Sequence, residues 1–301
     1  MENNQSIRQR QKVRPNELLI ETIIRAFSFA TILITIVIIY TLLSESRLIF
    51  QHVTLKEFLT GKVWTPLVEP PKFGIIPLIV GTLSIAFYSM LVAIPLGVGS
   101  AIYLSEYANK NVRKILKPML EILAGIPSIV YGFFALNTIT PFLKTIVPRT
   151  EIYNILSASI AVGIMILPLV ASLSEDAMNA VPNGMRNGAY ALGATKLEVA
   201  KNIVIPAAKS GIISSFVLAV SRAVGETMIV ALAAGSKPKL TFNPFESVQT
   251  LTGFMVATAT GDIAHGSIGF QSIYAVGMIL FIITFLLNLI ARRFVNRKRR
   301  G

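Results

Sequence analysis

Two ionisable residues, Arg222 and Glu226, lie inside the apolar run Ala207–Ala234. Four positions apart on a continuous helix, they would share one face and could pair. Arg222 would sit about 15 residues, roughly 23 Å, along that helix, well within a bilayer. A lone ionised group at that depth is costly, so both side chains should face a bundle interior. One reading is an internal salt bridge that fixes helix packing. The other is a guanidinium lining an anion pathway, held by Glu226 until an anion competes. Intramembrane ion pairs favour the second. The planar fork of arginine suits a tetrahedral oxyanion such as phosphate, and equally sulfate or molybdate.

Other polar residues are weaker candidates. Thr82, Ser128, Tyr131 and Asn137 could offer neutral donors to a pathway, although such residues commonly bond to a neighbouring helix or their own backbone. Glu106 and Glu121 fall near membrane edges, where they would be solvated or paired. His52 and His265 stand at no metal spacing, and with no cysteine there is no thiolate site or disulfide. Gly61–Lys62–Val63 lacks the pattern of a phosphate-cradling nucleotide loop, and there is no HExxH, Gly-x-Ser-x-Gly or dinucleotide fingerprint. The chain is therefore expected to be non-catalytic, without metal or cofactor, and any ATP-derived energy must come from a separate subunit.

The elements that would position these residues are membrane spans. With 53% hydrophobic and 14% charged residues, an ordinary soluble domain is excluded. The apolar residues fall in runs of span length. Six spans are expected, at about Ala26–Leu43, Gly74–Tyr103, Met119–Ile146, Ile152–Leu173, Ala207–Ala234 and Gly266–Ile290. The net charge of +13 does not indicate a nucleic-acid partner, because the basic residues cluster at span ends. Both tails (residues 1–25 and 292–301), the Lys110–Lys117 loop and the Arg186/Lys196/Lys201 loop alternate onto one face. The positive-inside rule makes that face cytoplasmic. This gives a multi-pass membrane protein with one six-span domain at 26–291. Outside, Thr54 and Glu57 should cap a short helix ended by Gly61, with Phe58, Leu59 and Trp64 in the headgroup layer.

The loop at 174–206 contains a polar, helix-forming island, Asn187–Pro206. Thr195 and Glu198 form a capping box after a bend at Gly193, and Pro206 should close the second helix at Ile205. A folded helical pair in a cytoplasmic loop suggests that something grips it.

The residues of that island resemble a known pattern. Asn187, Gly188, Ala189, Gly193, then nine residues, then Ile203–Val204–Ile205–Pro206 follow the spacing of the Glu-Ala-Ala loop in permease subunits of ABC importers. Asn187 and Gly188 replace the motif's Glu and first Ala. Gly125–Gly132 (GIPSIVYG), Ile166–Ala177 (ILPLVASLSEDA) and Ser221–Val230 (SRAVGETMIV) narrow the resemblance to phosphate permeases of the PstC type, from about Trp64 to Asn288. The resemblance implies that the six-span domain is a permease domain in a bacterial cytoplasmic membrane, an all-α bundle of the type I importer kind with a cytoplasmic coupling helix-turn-helix. It further implies inorganic phosphate as cargo, a PstA-like partner permease, a PstB-like ATPase dimer and a PstS-like phosphate-binding protein. Asn187, Ala189, Tyr190, Gly193, Leu197, Ala200, Ile203 and Pro206 would serve ATPase coupling. Ala189 and Gly193 would allow close approach at the bend, and Tyr190, Leu197 and Ala200 would give an apolar stripe. A permease for another oxyanion, the sister subunit PstA, a secondary anion transporter or channel, and a non-transporting scaffold are the alternatives.

Overall fold

The computed structural model describes residues 15–264 and 266–297. They form thirteen α-helices and one two-stranded antiparallel sheet. Six helical runs are long and apolar enough to cross a membrane: Leu19–Ile49, Ile76–Tyr107, Ser128–Ile146, Ile155–Asn179, Lys196–Val224 and Ile268–Ile290.

Helices α3 (Ile76–Ile102) and α7 (Ile155–Asn179) make the central pair. Small residues let them approach. A Cβ added to Gly163 of α7 would lie 2.8 Å from Val92 Cβ and 3.0 Å from the Ser89 carbonyl oxygen of α3. Ala158, Ala161, Val162, Ile166 and Val170 of α7 are fully buried in this core. At the periphery, α1 (Pro15–Ile49) leans on α13 (Ile268–Arg297) and leaves the rest of its apolar surface bare. That surface can only face lipid or another subunit.

Several boundaries differ from the sequence reading. Helix α1 already runs through Pro15–Arg25, part of the expected tail 1–25, and α13 continues to Arg297 within the expected tail 292–301. The rest of both tails lies outside the described residues. The expected third span begins instead as α4 (Lys110–Gly125), which has no buried residue, and breaks at Ile126–Pro127 before α5 (Ser128–Phe134), a π-turn at Ala135–Ile139 and α6 (Thr140–Ile146). Pro127 has no N–H and holds the residue before it extended, with ψ 128° at Ile126.

The segment between α1 and α3 is also a correction. Thr54 caps α2 (Leu55–Thr60) and Gly61 ends it, as the residues predict. However, Phe58 and Trp64 are only 1% exposed rather than half wet. The ring centroids of Phe58 and Trp64 are 6.3 Å apart, those of Trp64 and Phe73 6.1 Å, and those of Trp64 and Phe254 5.0 Å, all edge-on. These rings, β1 (Trp64–Thr65), β2 (Lys72–Phe73) and α12 (Leu251–Thr260) form a second small core at one end of the bundle.

Candidate functional site

The helix carrying Arg222 does not reach Glu226. Helix α10 (Ile205–Val224) ends against Gly225, and a new short helix, α11 (Met228–Ala233), begins after Thr227. The break removes the i, i+4 relation, so the expected Arg222–Glu226 pair is not formed. Glu226 Oε1 instead accepts from the backbone N–H groups of Met228 (3.1 Å) and Ile229 (3.3 Å), capping α11. The Glu226 carbonyl accepts from Thr252 Oγ1 at 2.6 Å, and the residue is 9% exposed.

Arg222 is exposed on the wall of a 330 Å³ cavity between α4, α7 and α10. Leu120, Glu121 and Ala124 line it from α4, and Met165, Pro168, Leu169, Ser172 and Leu173 from α7. Among the described residues, Arg222 forms no ion pair. A guanidinium without a counter-ion among apolar helices is unstable against lipid, so water, an anion or a second polypeptide must meet it. Thr82 and Tyr131 are not pathway donors. The Thr82 hydroxyl is fixed between Leu78 O (2.8 Å) and Leu251 N (2.9 Å), and the Tyr131 hydroxyl donates to Leu123 O (2.7 Å).

At the end of the bundle that carries α8 (Asn183–Ala191) and α9 (Lys196–Val199) lies a charged network of which sequence reasoning had only Glu106, expected to be solvated or paired, and missed the rest. Glu175 of α7 is 1% exposed, and its carboxylate meets Lys117 Nζ at 3.0 Å and Arg113 Nε at 3.8 Å. Glu106, in the π-turn Tyr103–Tyr107, pairs with Arg186 of α8 at 3.1 Å. Arg186 also donates to the carbonyls of Met178 (2.8 Å) and Val181 (2.5 Å), within and just beyond the last turn of α7. Buried acids on different spans were invisible to local spacing. Only the cations crowded into Lys110–Lys117 hinted that a buried carboxylate must answer them.

The helical pair itself was legible. Helix α8 ends at Gly193 (φ 83°), where Gly193 N–H bonds to Tyr190 O (2.9 Å) and Ala194 N–H to Ala189 O (3.1 Å), a Schellman turn. Both halves of the Thr195–Glu198 capping box are present. Three expectations change. Pro206 does not close the helix: a π-turn at Ala200–Val204, sealed by Ile205 N–H to Ala200 O, absorbs its missing donor, and the chain runs on into α10. Ala200 is 2% exposed and so is not in the apolar stripe, where Leu192 (91% exposed) joins Tyr190 and Leu197. Gly193 has open space around it, so its necessity comes from its backbone angle and not from close approach within the chain. Asn187 is exposed, while Ala189 and Ile203 are half-buried. Among the described residues no group of three or more metal-ligating side chains occurs; His265 lies outside them.

Residues 93–300 match the family described as "Binding-protein-dependent transport system inner membrane component". The "Probable ABC transporter permease protein YqgH" of Bacillus subtilis is 35% identical over 243 residues, 81% of this chain and 78% of that protein. The "Phosphate transport system permease protein PstC" of Mesorhizobium japonicum is 34% identical over 259 residues, 80% of this chain and 78% of that one. Among solved structures, a chain of a bacterial alginate ABC transporter superposes with TM-score 0.65 at 14% identity, covering 94% of this chain and 96% of that one. A chain of the MetNI methionine ABC transporter in an inward-facing conformation gives TM-score 0.56 at 18% identity, covering 74% and 94%.

Proposed function

The chain belongs to the binding-protein-dependent transport system inner membrane component family, and from that premise we propose that it is the permease subunit of an ATP-driven importer that carries inorganic phosphate inward across the cytoplasmic membrane. The likeness to PstC proteins along four-fifths of the chain supports phosphate as the cargo. The single structural observation behind the pathway is Arg222, an exposed guanidinium without an ion pair among the described residues, facing an open cavity between α4, α7 and α10. Its fork offers paired hydrogen bonds to a tetrahedral anion arriving from the opposite side. The bare face beside it is covered by a PstA-like second permease, so that neither charge nor anion meets lipid.

This chain hydrolyses nothing itself. Energy enters through α8 and α9, which face the cytoplasm together with both termini and dock into a groove of a PstB-like ATPase. Tyr190, Leu192 and Leu197 supply the apolar contact, an exposure that an unpartnered polar surface would not favour. The coupling residues proposed from the sequence keep that role with altered duties. Gly193 sets the bend, Ala189 seats α8, Asn187 faces the partner, and Ala200 and Ile203 lie in the π-turn that leads into α10 at Pro206. Beneath them Met178, Val181, Val199, Val204, Ala208 and Ile212 make a continuous apolar core, and Arg186 ties α8 to α7 and to the end of α3. A push on the docked pair therefore moves spans as a body. A PstS-like binding protein delivers phosphate to the outer face, where the Trp64 core stands.

The test is uptake of phosphate, sulfate and molybdate, side by side, in cells that depend on this permease. Phosphate uptake that stops when the ATPase subunit is deleted is expected. Uptake that persists without it would make the protein a secondary transporter or channel, and sulfate or molybdate as the preferred cargo would overturn the anion.

A further inference from the structure

Arg222 shares its cavity with one carboxylate, Glu121 of α4. Like Arg222, Glu121 has no ion pair among the described residues, and Glu226, the acid nearest in sequence, is spent on capping α11. The cavity thus holds donors on two walls, the Arg222 guanidinium on α10 and the Ser172 hydroxyl on α7, and an acceptor on the third, α4. Its 330 Å³ has room for a tetrahedral oxyanion and several waters of about 30 Å³ each. An acid beside an anion pathway opposes a bare anion, yet it does not oppose every anion equally.

We propose that Glu121 selects oxyanions carrying an O–H: it accepts that hydrogen bond, while Arg222 and Ser172 donate to the remaining oxygens. This deepens the reading of Arg222 as a pathway residue and rests on it. An ionised carboxylate accepts hydrogen bonds and donates none. At neutral pH phosphate and arsenate retain at least one hydroxyl, so they can satisfy the donor walls and the acceptor wall together. Sulfate and molybdate have no hydroxyl there, and their oxygens would face those of Glu121 with nothing between. Specificity of this kind comes from a repulsive contact with the wrong ligand as much as from attraction to the right one. The permease would then discriminate on its own, independently of any soluble binding protein.

The experiment is equilibrium binding of radiolabelled phosphate, arsenate and sulfate to the purified membrane complex, permeases with ATPases, without the soluble binding protein. The unmodified complex should bind phosphate and arsenate about ten- to a hundredfold more tightly than sulfate, the worth of one hydrogen bond to a charged group. Glu121→Gln, whose amide both accepts and donates, should bring sulfate to within a few-fold of phosphate, and Glu121→Asp should keep most of the discrimination. Size-exclusion profiles establish that each variant assembles. An unmodified complex that binds no anion, or binds all three alike, overturns the proposal, as does a phosphate-to-sulfate ratio unchanged in Glu121→Gln. Arg222→Ala separates the two readings. If it retains phosphate binding, the pathway assignment of Arg222 fails. If it loses every anion while Glu121→Gln leaves the ratio untouched, only the selection by Glu121 fails.

Discussion

Arg186 and Glu106, 80 residues apart in sequence, meet through Arg186 Nη2 and Glu106 Oε1 at 3.1 Å, with their side chains only 13% and 4% exposed. The same guanidinium holds the carbonyls of Met178 and Val181. One side chain therefore joins α8 to the ends of two central spans. Cutting a buried pair on one side leaves the other charge uncompensated, at a cost of about 3–5 kcal/mol. Arg186→Ala should lower the thermal midpoint of the purified complex and leave ATP hydrolysis running with little phosphate uptake. Glu106→Gln keeps an acceptor oxygen and should be milder on both measures. Uptake per ATP equal to the unmodified complex in Arg186→Ala would show that α8 transmits its motion elsewhere.

Glu226 gives a second test, because a cap and a counter-ion respond differently to the same changes. Its Oε1 accepts two backbone N–H groups at the start of α11. Glu226→Ala strips that cap and should cost about 1 kcal/mol of stability. Glu226→Gln retains a carbonyl oxygen at the same reach and should unfold close to the unmodified temperature. Thermal unfolding in detergent reads the difference. A Gln variant of normal stability that no longer takes up phosphate would return Glu226 to the pathway alongside its capping role.

The contrast between these sites shows which parts of the molecule local sequence could specify. Span-length apolar runs announced six crossing helices, since their length and composition admit little else. The turn at Gly193 and the cap at Thr195–Glu198 were equally plain, because each is closed by residues at most five apart. The break at Gly225 carried a signal, a glycine followed by an acid, that was read as helix interior. The π-turn before Pro206 carried none, as the register shift depends on how α10 packs below it. Trp64 was placed in a wet layer on residue type, and only long-range contacts with Phe73 and Phe254 bury it. Glu175 was overlooked for the same reason: its partners Lys117 and Arg113 sit on another helix.

Arg222 is the residue on which uptake should depend most steeply. Removing one preorganised charged donor from a low-dielectric site typically costs a hundredfold or more. Arg222→Ala should reduce the phosphate uptake rate by at least about 100-fold while the complex still assembles and hydrolyses ATP. Arg222→Lys keeps the charge without the fork and should recover part of the rate, mainly as a raised KM. Full uptake by the alanine variant would leave the guanidinium a packing role at most.

Gly193 separates the geometry of the docking turn from its surface chemistry. Its φ of 83° lies where a Cβ costs about 1–2 kcal/mol, and no neighbouring atom stands within 4 Å of the position such a Cβ would take. Substitution therefore strains the backbone without creating a clash inside this chain. Gly193→Ala and the β-branched Gly193→Val should both open the Schellman turn, while Gly193→Asn, a side chain that tolerates the left-handed region, should be the mildest of the three. If the bend matters by holding α8 and α9 at a fixed angle, uptake per ATP should fall in the order Asn, Ala, Val. If the ATPase instead packs directly on the glycine, its groove will reject any added atom, and Asn will be as damaging as Val. Measuring ATP hydrolysis and phosphate uptake together in the three variants decides between a hinge angle and a contact surface, with protein abundance in the membrane fraction as the control.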